Sequence, residues 1–278
     1  MDKISNFLEV QDSVKFIKNL KKGFITNFYT EADRIIKWID NNQFYKVTYG
    51  DSVFFVKTEI EFNHLFFCSV SAEELNNSLS KLKEITNNSL LVVDLIGKEL
   101  DIQSIVNTFK RCGFFLYTKL NRMHRNTIKY EFINDLYIPK NATISQTKVI
   151  FDLLQFHFDP IAEQLPSLKE IEDWINKQHL KIIEEDEEIL GFVIFDLIGY
   201  TSYLRYWFVH PKHRNKKIGS ILLNEFFKKS IETKRQIFWV IGTNENAIKR
   251  YLHYEFQPEN FYDYIMTNKN IHYETKDC

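Results

Sequence analysis

Val209-His-Pro-Lys-His-Arg-Asn-Lys-Lys-Ile-Gly-Ser220 is the stretch on which the reading of this chain turns. Before it runs Tyr203-Leu-Arg-Tyr-Trp-Phe-Val209, rich in aromatic and β-forming residues; after it comes the amphipathic run Ile221-Leu-Leu-Asn-Glu-Phe-Phe227. A strand, a short basic turn ending in glycine and then a helix form an anion site. The first N–H groups of a helix have no internal partner and carry the positive end of its dipole. His213, Arg214, Lys216 and Lys217 place side-chain charge at the same point.

These residues resemble the pyrophosphate loop of the GNAT superfamily of acyl-CoA-dependent N-acetyltransferases. That loop runs roughly Arg/Gln-x-x-Gly-x-Gly/Ala after a strand ending Val-x-Pro. Val209, Pro211, Arg214 and Gly219 stand in register, while Lys217 replaces the loop's first glycine. A second match lies downstream, where Ile237–Ile241 reads as a buried strand, 242–246 as a loop and 247–254 as a short helix. The superfamily commonly shows Asn-x-x-Ala-x-x-x-Tyr followed by Gly-Phe. Here Asn244, Ala247, Tyr251 and Phe256 match, and Glu255 replaces the glycine. The resemblance spans residues from about 180 to 266.

The resemblance implies a cofactor, acetyl-CoA, held by Phe208, Val209, His210, Arg214, Asn215, Lys216, Lys217, Ile218, Gly219, Ser220, Asn244 and Tyr251. It implies a backbone N–H near Phe208 and Val209 that polarises the thioester carbonyl, and a Tyr251 hydroxyl that protonates the leaving thiolate. Fixed dipoles of this kind need no reorganisation during reaction. Many family members carry a glutamate base four residues before the strand-ending valine, where this chain has Arg205. Glu163, Asp196 or a water chain are the alternatives for the base. Strand alternation places Tyr203, Arg205 and Trp207 on one face and Leu204, Tyr206 and Phe208 on the other. Arg205 and Tyr203 are therefore expected at the acceptor, with an internal salt bridge from Arg205 to Asp196 or Glu163 as the alternative; Glu163, on the segment after the Asp159-Pro160 turn, is expected at the acceptor by location. The expected reaction is direct attack of a primary amine on the thioester. A non-catalytic acyl-CoA-binding module is the second reading, and aminoacyl transfer from a charged tRNA the third.

The chain is written twice. Thr30-Glu-Ala-Asp33 opens a helix that Thr30 can cap, and Ser167-Leu-Lys-Glu170 is a capping box before another. Trp38-Ile-Asp-Asn-Asn-Gln-Phe44 echoes Trp174-Ile-Asn-Lys-Gln-His-Leu180, and each echo precedes three strands with polar turns. From Val70 to the next strand at Leu90 is 20 positions, against 28 from Val209 to Ile237, and the deficit falls where the phosphate loop would be. The expected fold class is α+β: a mostly antiparallel sheet flanked by helices, in two similar halves. Residues 1–135 are a GNAT-like half without the loop, 140–278 the complete one, and 134–142 the connector.

The composition is 44% hydrophobic and 15% aromatic, which excludes disorder; 36 basic against 37 acidic residues give nucleic acid no broad surface. Three cysteines without ligand spacing point to reduced thiols, and no zinc spacing, Walker loop or nucleophile elbow is present, so no metal is expected. No run reaches the ~18 apolar residues of a membrane span. The expectation is a cytoplasmic enzyme acting on a small-molecule or peptide amine.

Overall fold

The computed structural model describes residues 1–86, 89–127, 137–214 and 216–271. The chain divides into two compact units, one holding Met1–Leu120 and the described residues from Asn260 on, the other Asn121–Glu259. Asn215, residues 128–133 and the first three residues of the expected connector, 134–136, lie outside the described residues.

The first unit begins with β1 (Asp2–Lys3), α1 (Phe7–Asn19), β2 (Ile25–Thr26) and α2 (Ala32–Asp40). The meander β3 (Phe44–Tyr49), β4 (Ser52–Thr58) and β5 (Asn63–Ser69) follows. Then come α3 (Ala72–Thr86), β6 (Leu91–Gly97), α4 (Glu99–Arg111) and the start of β7 (Phe115–Asn126). The meander is antiparallel, and β5 pairs with β6 in parallel. Helices α1 and α2 cover one face through Val10, Ile17, Ile35 and Trp38, packed on Phe44 and Phe55. Helices α3 and α4 cover the other through Leu75, Leu79, Val106 and Phe109, packed on Phe54, Phe67 and Val93. At α2 the structure differs from the sequence reading. Glu31, not Thr30, is the N-cap, and no side chain caps it. This helix is held by its apolar face of Ile35, Trp38 and Ile39.

The second unit repeats this plan. After β8 (Lys140–Asn141) come α5 (Thr147–His157), α6 (Leu168–Asn176), β9 (Leu180–Glu185), β10 (Glu188–Ile198) and β11 (Thr201–Val209). The unit continues with α7 (Ile218–Lys229), β12 (Arg235–Ile241), α8 (Glu245–His253) and the start of β13 (Gln257–Thr267). The Ser167–Glu170 capping box forms as expected. Asp186 and Glu187, both with positive φ, make the tight β9–β10 turn within the acidic stretch Glu184-Glu-Asp-Glu-Glu188. Helices α5 and α6 pack on one face against Phe192, Tyr206 and Phe208, and α7 packs on the other against Phe195, Leu204 and Phe238.

The duplicated order, two helices to one face and two to the other of a mostly antiparallel sheet, is the expected fold class. The unit boundaries depart from a division at 135 and 140 because of two strands. β7 runs from the first unit into the second at Leu120–Asn121, and β13 passes the other way at Asn260. There, Tyr262–Thr267 pair antiparallel with Val92–Gly97 of β6. No described helix is long and apolar enough to cross a membrane.

Candidate active site

β11 is the strand that positions the site, and it is irregular in two ways. Ile194 of β10 faces Tyr206 and Phe195 faces Leu204, so Arg205 is an extra residue in a β-bulge. The bulge resets the alternation expected from the sequence. Leu204, Trp207 and Val209 pack in the core under α7, while Tyr206 and Phe208 lie in the opposite core under α5 and α6. On its other side β11 pairs with β12 in parallel only from Thr201↔Arg235 to Tyr203↔Ile237, although β11 runs on to Val209 and β12 to Ile241. The two strands part after Tyr203, leaving backbone groups of β11 available to a ligand laid along it.

Beyond β11, His210 and the 3-10 turn Pro211–His213 lead through Arg214 to α7. Lys217 is the N-cap in left-handed conformation (φ 60°), with no side-chain capping bond, and the first bond of the helix runs from Ile221 N–H to Lys217 C=O at 3.1 Å. The N–H groups of Ile218, Gly219 and Ser220 precede that bond. Gly219 is tightly packed. A β-carbon there would meet Trp207 Cζ2 at 3.1 Å and Val209 Cγ2 at 3.3 Å. Trp207 Nε1 donates to Gly219 C=O at 3.0 Å, tying α7 to β11. An uncapped helix start with Arg214, Lys216 and Lys217 before it suits a pyrophosphate, and the parted strands suit an extended arm behind it. On both observations the residues fit an acyl-CoA.

Asn244 caps α8, its Oδ1 accepting from Ala247 N–H at 3.0 Å. One turn on, Tyr251 packs on Phe238 at 4.1 Å and on Trp207 at 5.6 Å between ring centroids. Tyr254, which the sequence motif does not single out, donates from its hydroxyl to Ser220 Oγ at 2.9 Å. Glu163 belongs to the turn after α5. Asp159 Oδ1 accepts from Ile161 and Ala162 N–H, and Glu163 Oε2 accepts from Asp159 N–H at 2.9 Å. The Tyr206 hydroxyl donates to the carbonyls of Glu163 and Gln164, both at 3.0 Å, pinning this turn over β11. Burial raises the Glu163 carboxyl to about 7 against the opposing Asp159 N–H, and the Asp159 charge adds to the rise. Burial also raises the Tyr251 phenol, and the Glu163 charge raises it further. The structure thus brings Glu163 and Tyr251 within electrostatic reach of each other.

Arg205 Nε donates to Asp196 Oδ2 at 2.6 Å, and Asp196 Oδ1 accepts from Trp174 Nε1 at 2.7 Å. The Arg205 guanidinium lies over Tyr203, 5.4 Å from its centroid. It does not flank Trp207 as alternation predicts, because the bulge turns Trp207 to the other face, where Arg250 lies over it at 5.8 Å. His157, half-buried at the end of α5, packs its ring against Phe208 at 4.8 Å between centroids.

A profile of the acetyltransferase (GNAT) family matches residues 148–256, spanning α5 to the end of α8. This segment is a GNAT acetyltransferase domain. Comparison of the sequence with proteins of curated function gives no match. In structure, the chain is similar to a tandem GNAT protein from the clavulanic acid biosynthesis pathway (TM-score 0.61, 9% identity), covering 97% of this chain and 98% of that one. It is also similar to a GCN5-related N-acetyltransferase from Sphaerobacter thermophilus (TM-score 0.60, 9% identity; 80% and 78% covered). A third is one from Kribbella flavida (TM-score 0.55, 10% identity; 87% and 97% covered). These likenesses extend the GNAT fold to the first half.

The first unit has the same parting strands but fills the gap from its own chain. β5 and β6 pair only at Asn63↔Leu91 and His64↔Val92. β2 adds to the freed length of β5, with Ile25↔Ser69 and Thr26↔Cys68 in register. Next to β2, the Asn27 amide donates to Leu65 C=O on β5 and Asp94 C=O on β6, both at 3.1 Å. Only Val70 and Ser71 separate β5 from α3, where His210–Lys217 separate β11 from α7. The acidic Glu73 and Glu74 occupy the first turn of α3.

Proposed function

We propose that the GNAT domain of the second unit transfers an acyl group, acetyl in the first instance, from acyl-CoA to a primary amine by direct attack. One observation carries this reading: β11 and β12 part beside an uncapped, basic helix start, and Glu163 and Tyr251 lie next to that opening within reach of each other's charge. Arg214, Lys216 and the first N–H groups of α7 would hold the diphosphate. The backbone of Phe208 and Val209 would orient the acyl carbonyl. Acetyl-CoA, when bound, supplies an activated thioester.

The chain's own groups then manage two protons. Glu163, raised to about 7, is a carboxylate basic enough at neutral pH to take the proton from the amine nitrogen. Tyr251 keeps its proton until the sulfur departs, and its O–H then supplies it to that sulfur. Asp196, the other carboxylate considered from sequence, is already engaged by Arg205 and Trp174, which supports Glu163 as the base. Holding amine and thioester together supplies much of the remaining acceleration. Because β2 and Asn27 fill the gap in the first unit, one CoA per chain is the expected stoichiometry.

Calorimetry with CoA, followed by thiol release from acetyl-CoA with a panel of amines, tests the proposal. One salt-sensitive site, weakened at least tenfold in an Arg214→Ala/Lys216→Ala variant, is expected. Binding without thiol release for any amine would favour a non-catalytic acyl-CoA-binding module. No CoA binding would overturn both.

A further inference from the structure

We propose that Glu188, His210 and His213 form a site for one divalent transition-metal ion, of which zinc(II) fits best. No zinc spacing of cysteines is present, and the His210-x-x-His213 pair becomes a ligand set only through the fold. His210 is the N-cap of the 3-10 turn Pro211–His213 and His213 is its last residue, and residues three apart in such a turn lie one above the other. The turn is fixed at both ends. His210 N–H donates to Leu190 C=O at 2.8 Å, and His213 N–H donates to His210 C=O at 2.9 Å. Leu190 lies on β10, which begins at Glu188, so the bond that anchors the turn also brings the Glu188 carboxylate alongside it.

One ligand atom from each of the three residues lies within 4.8 Å of the others. His213 Nε2 is 3.4 Å from Glu188 Oε1. That is long for a charge-assisted hydrogen bond, which runs to about 2.9 Å. It matches the edge of a tetrahedron around zinc, about 3.4 Å for bonds of about 2.0–2.1 Å. The His210 and His213 rings are 5.6 Å apart between centroids, so His210 stands beside the pair. Ligation through Nδ1 of His210 would replace the 3.3 Å bond that this nitrogen accepts from Lys212 N–H. Two imidazoles and a carboxylate are a donor set suited to zinc, with a fourth position left for water. Lys212 and Arg214 flank the turn and lower the affinity for any cation; the Glu188 carboxylate offsets them.

Titration of the chelator-treated full chain with zinc chloride, followed by calorimetry and thermal melting, tests the site. Cobalt(II) absorption serves as a second probe. One ion per chain is expected, with a raised melting temperature and a cobalt spectrum without a thiolate charge-transfer band. His213→Ala and Glu188→Gln should each weaken binding at least tenfold. Both changes lie near the surface, and circular dichroism of the metal-free variants verifies their folding. His253→Gln, on α8, should leave binding unchanged. No binding, equal affinity in the two variants and the parent, or a thiolate band pointing to a cysteine would each overturn the proposal.

Discussion

The Phe67 N–H on β5 donates to Asn27 Oδ1 at 2.7 Å, so a side chain takes the place that a neighbouring strand would hold. The same amide satisfies Leu65 C=O and Asp94 C=O. Asn27→Ala would leave three backbone groups between β5 and β6 without that partner, each costing about 1–3 kcal/mol if buried and unmet. Partial access of water reduces the total, and a loss of about 2–4 kcal/mol is expected in urea unfolding. CoA stoichiometry should stay at one. A second CoA bound by the variant would show that Asn27 had been guarding a usable cleft.

Lys217 and Glu255 stand where the superfamily's motifs usually have glycine, and both adopt left-handed backbone, with φ of 60° and 64°. Side chains there cost about 1–2 kcal/mol, while glycine loses roughly 0.5–1 kcal/mol more chain entropy on folding. Lys217→Gly and Glu255→Gly should therefore each gain about 0.5–1 kcal/mol. The first should also weaken CoA binding slightly by removing a cation, whereas the second should leave it unchanged. Loss of stability in either variant would mean that the side chain makes a compensating contact.

These two residues also show what a single sequence reveals. The backbone demand at the turn before α7 was legible as a missing glycine, because Val209, Pro211, Arg214 and Gly219 fixed the register around it. The duplication was legible from the paired tryptophan segments, since each must bury the same amphipathic helix. The bulge at Arg205 was not, because one extra residue in a strand alters no composition or period until its partner strand is known. It moved Trp207 from the acceptor side to the α7 side. The Asn27 bridge was equally hidden, since an asparagine in a loop is ordinary until the parted strands behind it are seen. The exchange of β7 and β13 depends on long-range pairing that local pattern does not encode.

Tyr251→Phe should lower turnover roughly ten- to a thousandfold, in the range for losing a general acid, with CoA affinity nearly unchanged. The ring contacts with Phe238 and Trp207 survive the change, so the melting temperature should hold. Turnover equal to the parent would make Tyr251 a packing residue and move the acid elsewhere.

Arg205 uses Nε for Asp196, and 42% of its side chain is exposed, so its terminal nitrogens can meet an anionic group on the acceptor. Arg205→Ala should raise KM for such an acceptor at least several-fold, with kcat and melting temperature little changed, since exposed ion pairs contribute about 1 kcal/mol or less. An early-melting variant with unchanged KM would make the Asp196 pair purely structural.

Glu163 gives opposite effects on activity and stability. As a base it must be ionised, so kcat/KM should fall as pH drops through about 7, and Glu163→Gln should abolish that limb together with most of the turnover. For folding, the sign follows from a carboxyl raised above its ordinary 4.5. Its contribution to stability is complete below about pH 4.5 and is lost as pH rises towards 7, where the folded chain must carry a buried charge. Glutamine carries none and can still accept from Asp159 N–H. The variant should therefore match the parent near pH 4.5 and exceed it by up to about 3 kcal/mol above pH 7. Melting curves at pH 5 and pH 8, read beside pH-rate profiles of both proteins, measure the two effects separately. A glutamine variant that melts below the parent at pH 8 would mean that Glu163 is ionised and well paired in the fold, and its assignment as the base would fail.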